Sequence, residues 1–114
     1  MARLIHEKKE VLEDLQFARS ILHLGFGLMF AGKNRISKGL CLIMPKEFRT
    51  SVTTFFCLHS LEILFVNSKF EVVDKKVLKP WVLSYVPRAK CKYIIESLVG
   101  TFDSIKINDK LELL

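Results

Sequence analysis

The sequence predicts an α+β domain with a largely antiparallel sheet. Short runs in which apolar and polar residues alternate recur along the chain, and this period of two is typical of half-buried strands. One stretch, at about residues 20–31, instead has apolar residues at roughly helical spacing. Short strands with one main helix favour an α+β fold.

The length and composition indicate one compact domain over residues 1–114. The chain has 114 residues, and 50% of them are hydrophobic, which excludes a disordered chain. Its apolar runs are too short to span a bilayer, and its charged N-terminus lacks the apolar stretch of a secretory signal. We therefore expect a cytoplasmic protein that does not enter a membrane, as a monomer or a weak dimer.

The first elements are a strand at Arg3–Ile5 and the helix at about 20–31. Between them, EDLQFARS fits either a strand or a helix. Ser20 is a suitable N-cap for the helix, and Gly32 can end it. The segment NRISKG that follows predicts a loop.

The middle of the chain predicts strands separated by turns. LCLIMP is a short apolar run that ends at Pro45, as a strand would. The hydrophobic stretch TTFFCLHSLEILFVN, Thr53 to Asn67, predicts a long or broken strand. Asn67 and Ser68 suit a tight turn. The alternating runs SKFEVVDKKVLKPW, RAKCKYIIE and TFDSIKINDKLEL predict further strands.

Several motifs in a fixed order resemble one family. They are LEDLQFARSILHLGFGLMF, GLCLIMP, TTFFCLHSLE, LKPW, CKYIIESLVG and the pair Asn108–Asp109. Together, from about Leu12 to Leu111, they resemble the family called domain of unknown function 192, small proteins common in bacteria and archaea. The resemblance implies a compact β-rich fold in which a mostly antiparallel sheet curls toward a barrel, with the helix at about 20–31 packed against it.

The chain departs from the family's pattern at informative places. Leu24, Thr53 and Glu62 stand where the family usually has an arginine, a histidine and an aspartate. Cys57, Ser60 and Asn108 replace a methionine, a proline and a glycine. A family site built on the arginine, histidine and aspartate would have lost two of its three groups here. The resemblance implies an architecture and no settled activity.

Cys57 and His59 are the first candidates for a chemical site. On a strand they would face the same side, but two ligands fall short of the three or four that a zinc site needs. A Cys–His or Ser–His nucleophile would need a bend, and no G-x-S-x-G motif occurs. The chain's three cysteines, Cys41, Cys57 and Cys91, lie among apolar neighbours. We expect buried thiols, no metal, no cofactor and no catalytic residue.

Two acids in apolar runs are the next candidates. Glu62 precedes ILFV, and Glu96 ends KYIIE. A buried carboxylate must be paired or hydrogen-bonded, so Glu62 is half exposed, or pairs with a basic residue on a neighbouring strand, or lines a polar pocket. We expect a small polar pocket formed by Thr54, Glu62, Trp81 and Glu96. Two carboxylates in one cleft could perform general acid–base catalysis, although the sequence does not show that they meet.

The segment from residue 75 to 92 is basic and contains aromatic residues. The net charge is +6, and residues 75–95 include no acid. Bases stack on aromatic rings and cations neutralise phosphates, so such a segment can bind single-stranded nucleic acid. A solvated basic face is the simpler interpretation. The candidate contacts are Lys75, Lys76, Lys79, Trp81, Arg88, Lys90 and Lys92.

Three functional hypotheses remain open from the sequence. The leading hypothesis is a small binding or accessory protein for an unknown small ligand, which includes a sugar or another polar molecule. The second is a nucleic-acid-binding module that uses residues 75–92. The third is a hydrolase-like enzyme that uses Glu62.

Overall fold

The computed structural model describes residues 2–18, 32–54 and 57–114. These residues form a seven-stranded sheet and one short helix. Within the described ranges, no helix is long and apolar enough to cross a membrane. The elements are β1 (Ala2–His6), β2 (Lys9–Ala18), α1 (Lys33–Lys38), β3 (Leu40–Phe48), β4 (Leu61–Val66), β5 (Val72–Leu78), β6 (Cys91–Leu98) and β7 (Glu112–Leu113). The predicted main helix at about 20–31 lies outside the described residues.

The sheet is mostly antiparallel, as predicted. Its strand order is β5-β4-β6-β3-β2-β1-β7. Only β2 and β3 pair in parallel among the described strands, through Gln16 with Leu40 and Phe17 with Cys41. A parallel pair needs a long crossover connection, and residues 19–39 provide that length. The prediction of a largely antiparallel sheet is therefore confirmed.

The C-terminal segment joins the two edges of this sheet. Near β5, the Val72 N–H donates to the Asp109 carbonyl at 2.8 Å, and the Leu111 N–H donates to the Phe70 carbonyl at 2.8 Å. A few residues later, Leu113 pairs with Leu4 of β1. Edge strands expose unpaired backbone groups, and this segment covers both edges. The sheet is curled toward a barrel, as the family resemblance implies.

Two apolar clusters lie on the two faces of the curled sheet. The concave-face cluster draws on every strand from β1 to β6 and is made of Leu4, Leu12, Leu15, Cys41, Leu64, Val66, Val72, Ile95, Phe102, Ile105 and Leu111. The convex-face cluster consists of Ile36, Leu40, Leu42, Met44, Val52, Cys57, Leu61, Ile63, Phe65, Leu78, Cys91 and Ile94. Burial on both faces explains why β4 is hydrophobic at nearly every position.

The segment NRISKG forms most of helix α1, so the prediction of a loop there was wrong. Ile36 is completely buried and anchors the helix against the sheet. Gly39 ends the helix with φ 83°, and its N–H donates to the Ile36 carbonyl at 2.9 Å. A six-residue helix has little intrinsic stability, so it depends on this buried contact. Because the residues around Ile36 are polar, the sequence gives no indication that this contact stabilises a helix.

Strand β3 continues beyond Pro45, where the sequence predicted its end. Pro45 is exposed, and the pairing of β3 with β6 is irregular between Ile43 and Phe48. Proline is tolerated in a strand at such an irregularity, because the ladder needs no N–H there.

Two predicted strands are shorter than their apolar or alternating patterns suggested. In the stretch from Thr53 to Asn67, the regular strand is β4, which starts only at Leu61. The final run forms turns between residues 99 and 108, and only Glu112–Leu113 is a regular strand. The turn at Asn67 is present, since the Asn67 side chain accepts the N–H groups of Lys69 and Glu71, each at 3.0 Å.

Candidate ligand-binding surface

A short two-stranded ribbon lies over the convex face of the sheet. Residues 52–54 run antiparallel to residues 81–85, and we call these two segments the outer ribbon. Val52 and Tyr85 exchange both backbone hydrogen bonds at 2.8 Å, and the Thr54 N–H donates to the Val82 carbonyl at 3.0 Å. Val52, Val82 and Tyr85 pack against the convex-face cluster. The ribbon therefore covers the core and turns its alternate side chains outward.

Thr54 holds the turn at Lys79–Val82. Its hydroxyl donates to the Lys79 carbonyl at 2.6 Å and accepts from the Val82 N–H at 3.0 Å. Its carbonyl accepts from the Trp81 N–H at 3.0 Å. Thr54 is completely buried. This predicted site residue thus positions the K-P-W turn, and its hydroxyl is occupied by backbone groups.

Trp81 is the most unusual residue of the outer ribbon. Its φ is 68°, in the left-handed region that bulky residues rarely adopt. Its side chain is 53% exposed, and the nearby Leu83 and Val86 are 74% and 47% exposed. Strained backbone persists only where the surroundings enforce it, and such strain is frequent at functional sites. A large ring is therefore held partly in solvent at an energetic cost.

Glu62 is buried and fully engaged on the concave face. One carboxylate oxygen accepts the Phe102 N–H at 2.6 Å, and the other lies 3.9 Å from the Lys75 ammonium. Lys75 belongs to the neighbouring strand β5, so the pairing of Glu62 with a basic residue on an adjacent strand is what the structure shows. These contacts satisfy the carboxylate by a backbone turn and a cation, and they leave no geometry that suggests acid–base chemistry.

Glu96 lies on the opposite face from Glu62. It stands across from Leu40 on one side and Ile63 on the other, so its side chain shares the convex face with Ile63. Glu62 is the neighbour of Ile63 on β4 and points to the other face. The structure therefore does not bring the two acids into one cleft, whereas Thr54, Trp81 and Glu96 all belong to the convex side.

Glu96 is buried, with 7% of the residue exposed. Burial raises the pKa of Glu96 to about 7. The same carboxyl contributes to a raised pKa at Cys57. Burial, and then the negative charge of Glu96, raise the pKa of the Cys57 thiol to about 11. A thiol with such a pKa is protonated at neutral pH and is a poor nucleophile.

The predicted basic contacts divide into three groups. Lys75 is turned into the molecule, where it donates to the Phe102 and Ile105 carbonyls. Lys76, Lys79 and Arg88 are exposed beside the outer ribbon. Lys90 and Lys92 lie farther away. The charge of Lys90 acts on Glu47, and the Lys92 ammonium donates to the Pro45 carbonyl at 3.2 Å. The six basic residues therefore do not form one continuous patch.

Asp74 organises the basic residues next to the ribbon. One of its oxygens accepts the Tyr85 hydroxyl at 2.5 Å and the Arg88 N–H at 3.1 Å, while the other accepts the Lys75 N–H at 2.8 Å. Burial, and then the hydrogen bond to Asp74, raise the pKa of Tyr85 to about 12. The Lys76 ammonium lies 5.7 Å from the centre of the Tyr85 ring. The sequence does not reveal this network, because Asp74 and Tyr85 meet only through the fold.

A second buried polar contact was also missed by the sequence analysis. The His6 Nε2 atom lies 2.9 Å from an Asp109 carboxylate oxygen, which also accepts the Lys106 N–H at 2.9 Å. His6 is 4% exposed. The contact links the end of β1 to the C-terminal segment, next to the residue that the family usually has as glycine. No group of three or more possible metal ligands occurs in the described parts of the chain.

Comparison with known proteins identifies relatives and a shared fold. A UPF0127 protein of Pyrococcus horikoshii is 40% identical over 103 residues, which cover 87% of this chain and 86% of the relative. A UPF0127 protein of Pyrococcus furiosus is 36% identical over 108 residues, with 91% and 90% of the two chains covered.

Two crystal structures share the fold at low sequence identity. A Sinorhizobium meliloti protein, described as a candidate transcription regulator, has a TM-score of 0.85 at 19% identity and matches over 97% of this chain and 90% of its own. A Novosphingobium aromaticivorans protein of unknown function has a TM-score of 0.83 at 18% identity, over 97% and 82% of the two chains. The family model of domain of unknown function 192, described as "Uncharacterized ACR", matches residues 3–113. The chain therefore belongs to the domain of unknown function 192 family.

Proposed function

We propose that this protein is a binding protein that contacts its ligand through the outer ribbon, with Trp81 at the centre of the contact. The observation that carries the proposal is the geometry of Trp81. Its backbone is held at φ 68° while 53% of the residue is exposed. A turn that only displayed a surface residue would adopt this conformation more easily with glycine or asparagine.

The support beneath Trp81 is rigid. Thr54 makes hydrogen bonds to Lys79, Trp81 and Val82, all with donor–acceptor distances between 2.6 and 3.0 Å. Because these bonds already fix the backbone of the turn, binding of a ligand at Trp81 would have to order little additional backbone. Tryptophan offers a flat apolar face, which suits ligands with flat faces of their own, such as sugars and nucleobases.

The other residues of the predicted pocket have different places in this proposal. Thr54 is a positioning residue for Trp81. Glu96 lies on the same side of the sheet but is buried, so it is outside the contact surface. Glu62 is outside the proposed site, because it lies on the concave face and is bound by Phe102 and Lys75.

The chain's single tryptophan makes the test direct. Its emission and its quenching by acrylamide would be measured during titration with four probe classes: neutral oligosaccharides, mononucleotides, single-stranded oligonucleotides and an acidic polypeptide. We expect at least one class to shift the emission saturably and to protect the ring from acrylamide.

A matched pair of variants tests whether the ring itself makes the contact. Trp81→Ala should weaken binding of the active probe about tenfold, measured by calorimetry. Val99→Ala is the control, since Val99 is also 53% exposed but lies in the turn after β6. If none of the four classes protects Trp81, or if both variants weaken binding equally, the proposal is wrong.

A further inference from the structure

The charges around the outer ribbon narrow the class of ligand, if the ribbon is the binding surface proposed above. Lys76, Lys79 and Arg88 are all exposed beside it. The nearest acid, Asp74, is 4% exposed and accepts three hydrogen bonds, from Tyr85, Arg88 and Lys75. Asp74 also lies 3.9 Å from the Arg88 guanidinium and offsets part of its charge, so the surface next to Trp81 carries three cations against one buried acid and stays net positive.

This combination disfavours two occupants. A second copy of the chain would bring the same three cations together, and like charges across an interface oppose association. A neutral sugar would use the Trp81 ring but would gain nothing from the cations. The complementary occupant carries both negative charge and flat rings.

The spacing indicates a chain of such units. Four residue steps separate Trp81 from Tyr85, which corresponds to about 13 Å of extended backbone. Lys79 lies at the Trp81 end, whereas Lys76 and Arg88 lie around Tyr85 and Asp74. Cations that are distributed along a strip fit successive phosphates of a polymer better than the single phosphate group of a mononucleotide.

We propose that the outer ribbon binds single-stranded nucleic acid, with one base stacked on the Trp81 ring and the backbone phosphates contacted by Lys76, Lys79 and Arg88. Leu83, 74% exposed, offers an apolar surface for a neighbouring base. The contact is electrostatic and stacking in character, so it does not depend on the order of the bases.

The test measures the fluorescence anisotropy of labelled fifteen-residue oligo(dT) and oligo(rU) at several salt concentrations. Three phosphate contacts predict a slope of log K against log salt of about −2. The variant Lys76→Gln/Lys79→Gln should reduce this slope to less than half. Trp81→Ala should weaken binding roughly tenfold with the slope unchanged.

The matched control removes the same charge elsewhere. Lys8→Gln/Lys110→Gln changes two exposed lysines near the β1–β2 turn and the C-terminal segment, and it should leave affinity and slope unchanged. Equal losses in the two double variants would overturn the proposal, since binding would then reflect net charge alone.

Three further outcomes show whether a failure concerns the nucleic-acid inference alone or the proposed binding surface as well. If the oligonucleotides do not bind at low salt while a neutral oligosaccharide protects Trp81 from acrylamide, the nucleic-acid inference fails and the binding surface stands. If vesicles with anionic lipid shift the Trp81 emission and the oligonucleotides do not, the inference fails in favour of a membrane surface. If no probe affects Trp81, both proposals fail.

Discussion

The Glu62 carboxylate lies 3.9 Å from the Lys75 ammonium group on the neighbouring strand. The same carboxylate accepts the Phe102 N–H, while Lys75 donates to the carbonyls of Phe102 and Ile105. The pair thus ties the turn after β6 to the concave face of the sheet. An acid inside a hydrophobic strand, which the sequence presents as a possible site, is compensated here by a cation and a backbone turn.

Removal of Lys75 should destabilise the protein strongly. Lys75→Met leaves a buried carboxylate without its cation and removes the hydrogen bonds that Lys75 donates to the Phe102 and Ile105 carbonyls, so we expect a loss of about 2–3 kcal/mol in the free energy of unfolding. Lys79→Met, at an exposed position, should change it by less than about 0.5 kcal/mol. Urea denaturation measures both. The variant Glu62→Gln/Lys75→Met should lose less than the sum of its single variants, and strict additivity would contradict the pairing.

Glu96 should make stability depend on pH in the neutral range. Burial raises its pKa to about 7 from 4.5, so between these values the folded protein binds a proton that the unfolded chain has released. The free energy of unfolding therefore falls as the pH rises through this window. Glu96→Gln should abolish the fall and should be more stable than the wild type at pH 8, by up to about 3 kcal/mol.

Urea denaturation at pH 4.5 and pH 8 would measure the free energy of unfolding of the wild type and of Glu96→Gln. Glu112→Gln, at an exposed carboxyl of β7, is the control and should follow the wild type at both values. The prediction would be contradicted if the free energy of unfolding of the wild type rose between pH 4.5 and pH 8 and that of Glu96→Gln rose equally. Ionisation of Glu96 would then not destabilise the folded protein.

Asp109 should stabilise the C-terminal closure above acidic pH. The Lys106 N–H, and then His6, hold the pKa of Asp109 below its usual value, so the stabilisation is present above that usual value and is lost as the pH falls through the lower folded pKa. Asp109→Asn should speed amide hydrogen exchange at Asn108 and Leu111, whose N–H groups donate to the carbonyls of Val72 in β5 and of Phe70, two residues before it. The exchange of Ile94 in β6 serves as the control. Unchanged exchange at Asn108 and Leu111 would contradict a closing role for this contact.

Local sequence patterns predicted the strands whose alternating residues reflect burial, and they did not predict elements that depend on contacts distant in sequence. The alternation in RAKCKYIIE predicted a strand, and the structure has β6 there, at Cys91–Leu98. The patterns failed for α1, whose six residues are helical only because Ile36 is buried by the sheet and Gly39 ends the helix. A contact that forms through the tertiary fold leaves no periodic trace in a short polar segment.

The candidate site shows the same limit. The residues Thr54, Trp81 and Glu96 were predicted as site members, and the fold places them on one side of the sheet. Glu62 was predicted with them, but one residue of register decides its face, and a pattern in which every β4 residue is buried cannot reveal that register. The hydrogen bond between Thr54 and Val82, which positions the turn at Trp81, joins residues 28 apart in sequence, and the sequence does not reveal it.

The conformation of Trp81 predicts an unusual order of stability between two variants. At φ 68° an alanine is strained and a glycine is not, so Trp81→Gly should be more stable than Trp81→Ala by about 1 kcal/mol. At Leu83, which is also exposed but does not have a positive φ, the order should reverse, since glycine there only adds freedom to the unfolded chain. Thermal denaturation of the four variants measures both differences. Alanine more stable than glycine at both positions would contradict the strained turn.

Gly39 should be intolerant of any side chain, whereas Gly32 at the other end of α1 should accept one. A Cβ at Gly39 would lie 2.5 Å from Leu12 Cδ1 and 3.1 Å from Leu15 Cδ1, and its φ of 83° with ψ 152° is accessible essentially only to glycine. We expect Gly39→Ala to lose about 2–4 kcal/mol in the free energy of unfolding, because both the backbone and the packing of β2 must shift. A Cβ at Gly32 meets nothing within 4 Å at a φ of −80°. Alanine is a poorer N-cap than glycine but also makes the unfolded chain less flexible, and these effects oppose each other, so Gly32→Ala should stay within about 0.5 kcal/mol of the wild type. Urea denaturation of the two alanine variants measures both changes in the free energy of unfolding. Similar losses at the two positions would contradict a specific requirement for glycine at the end of α1.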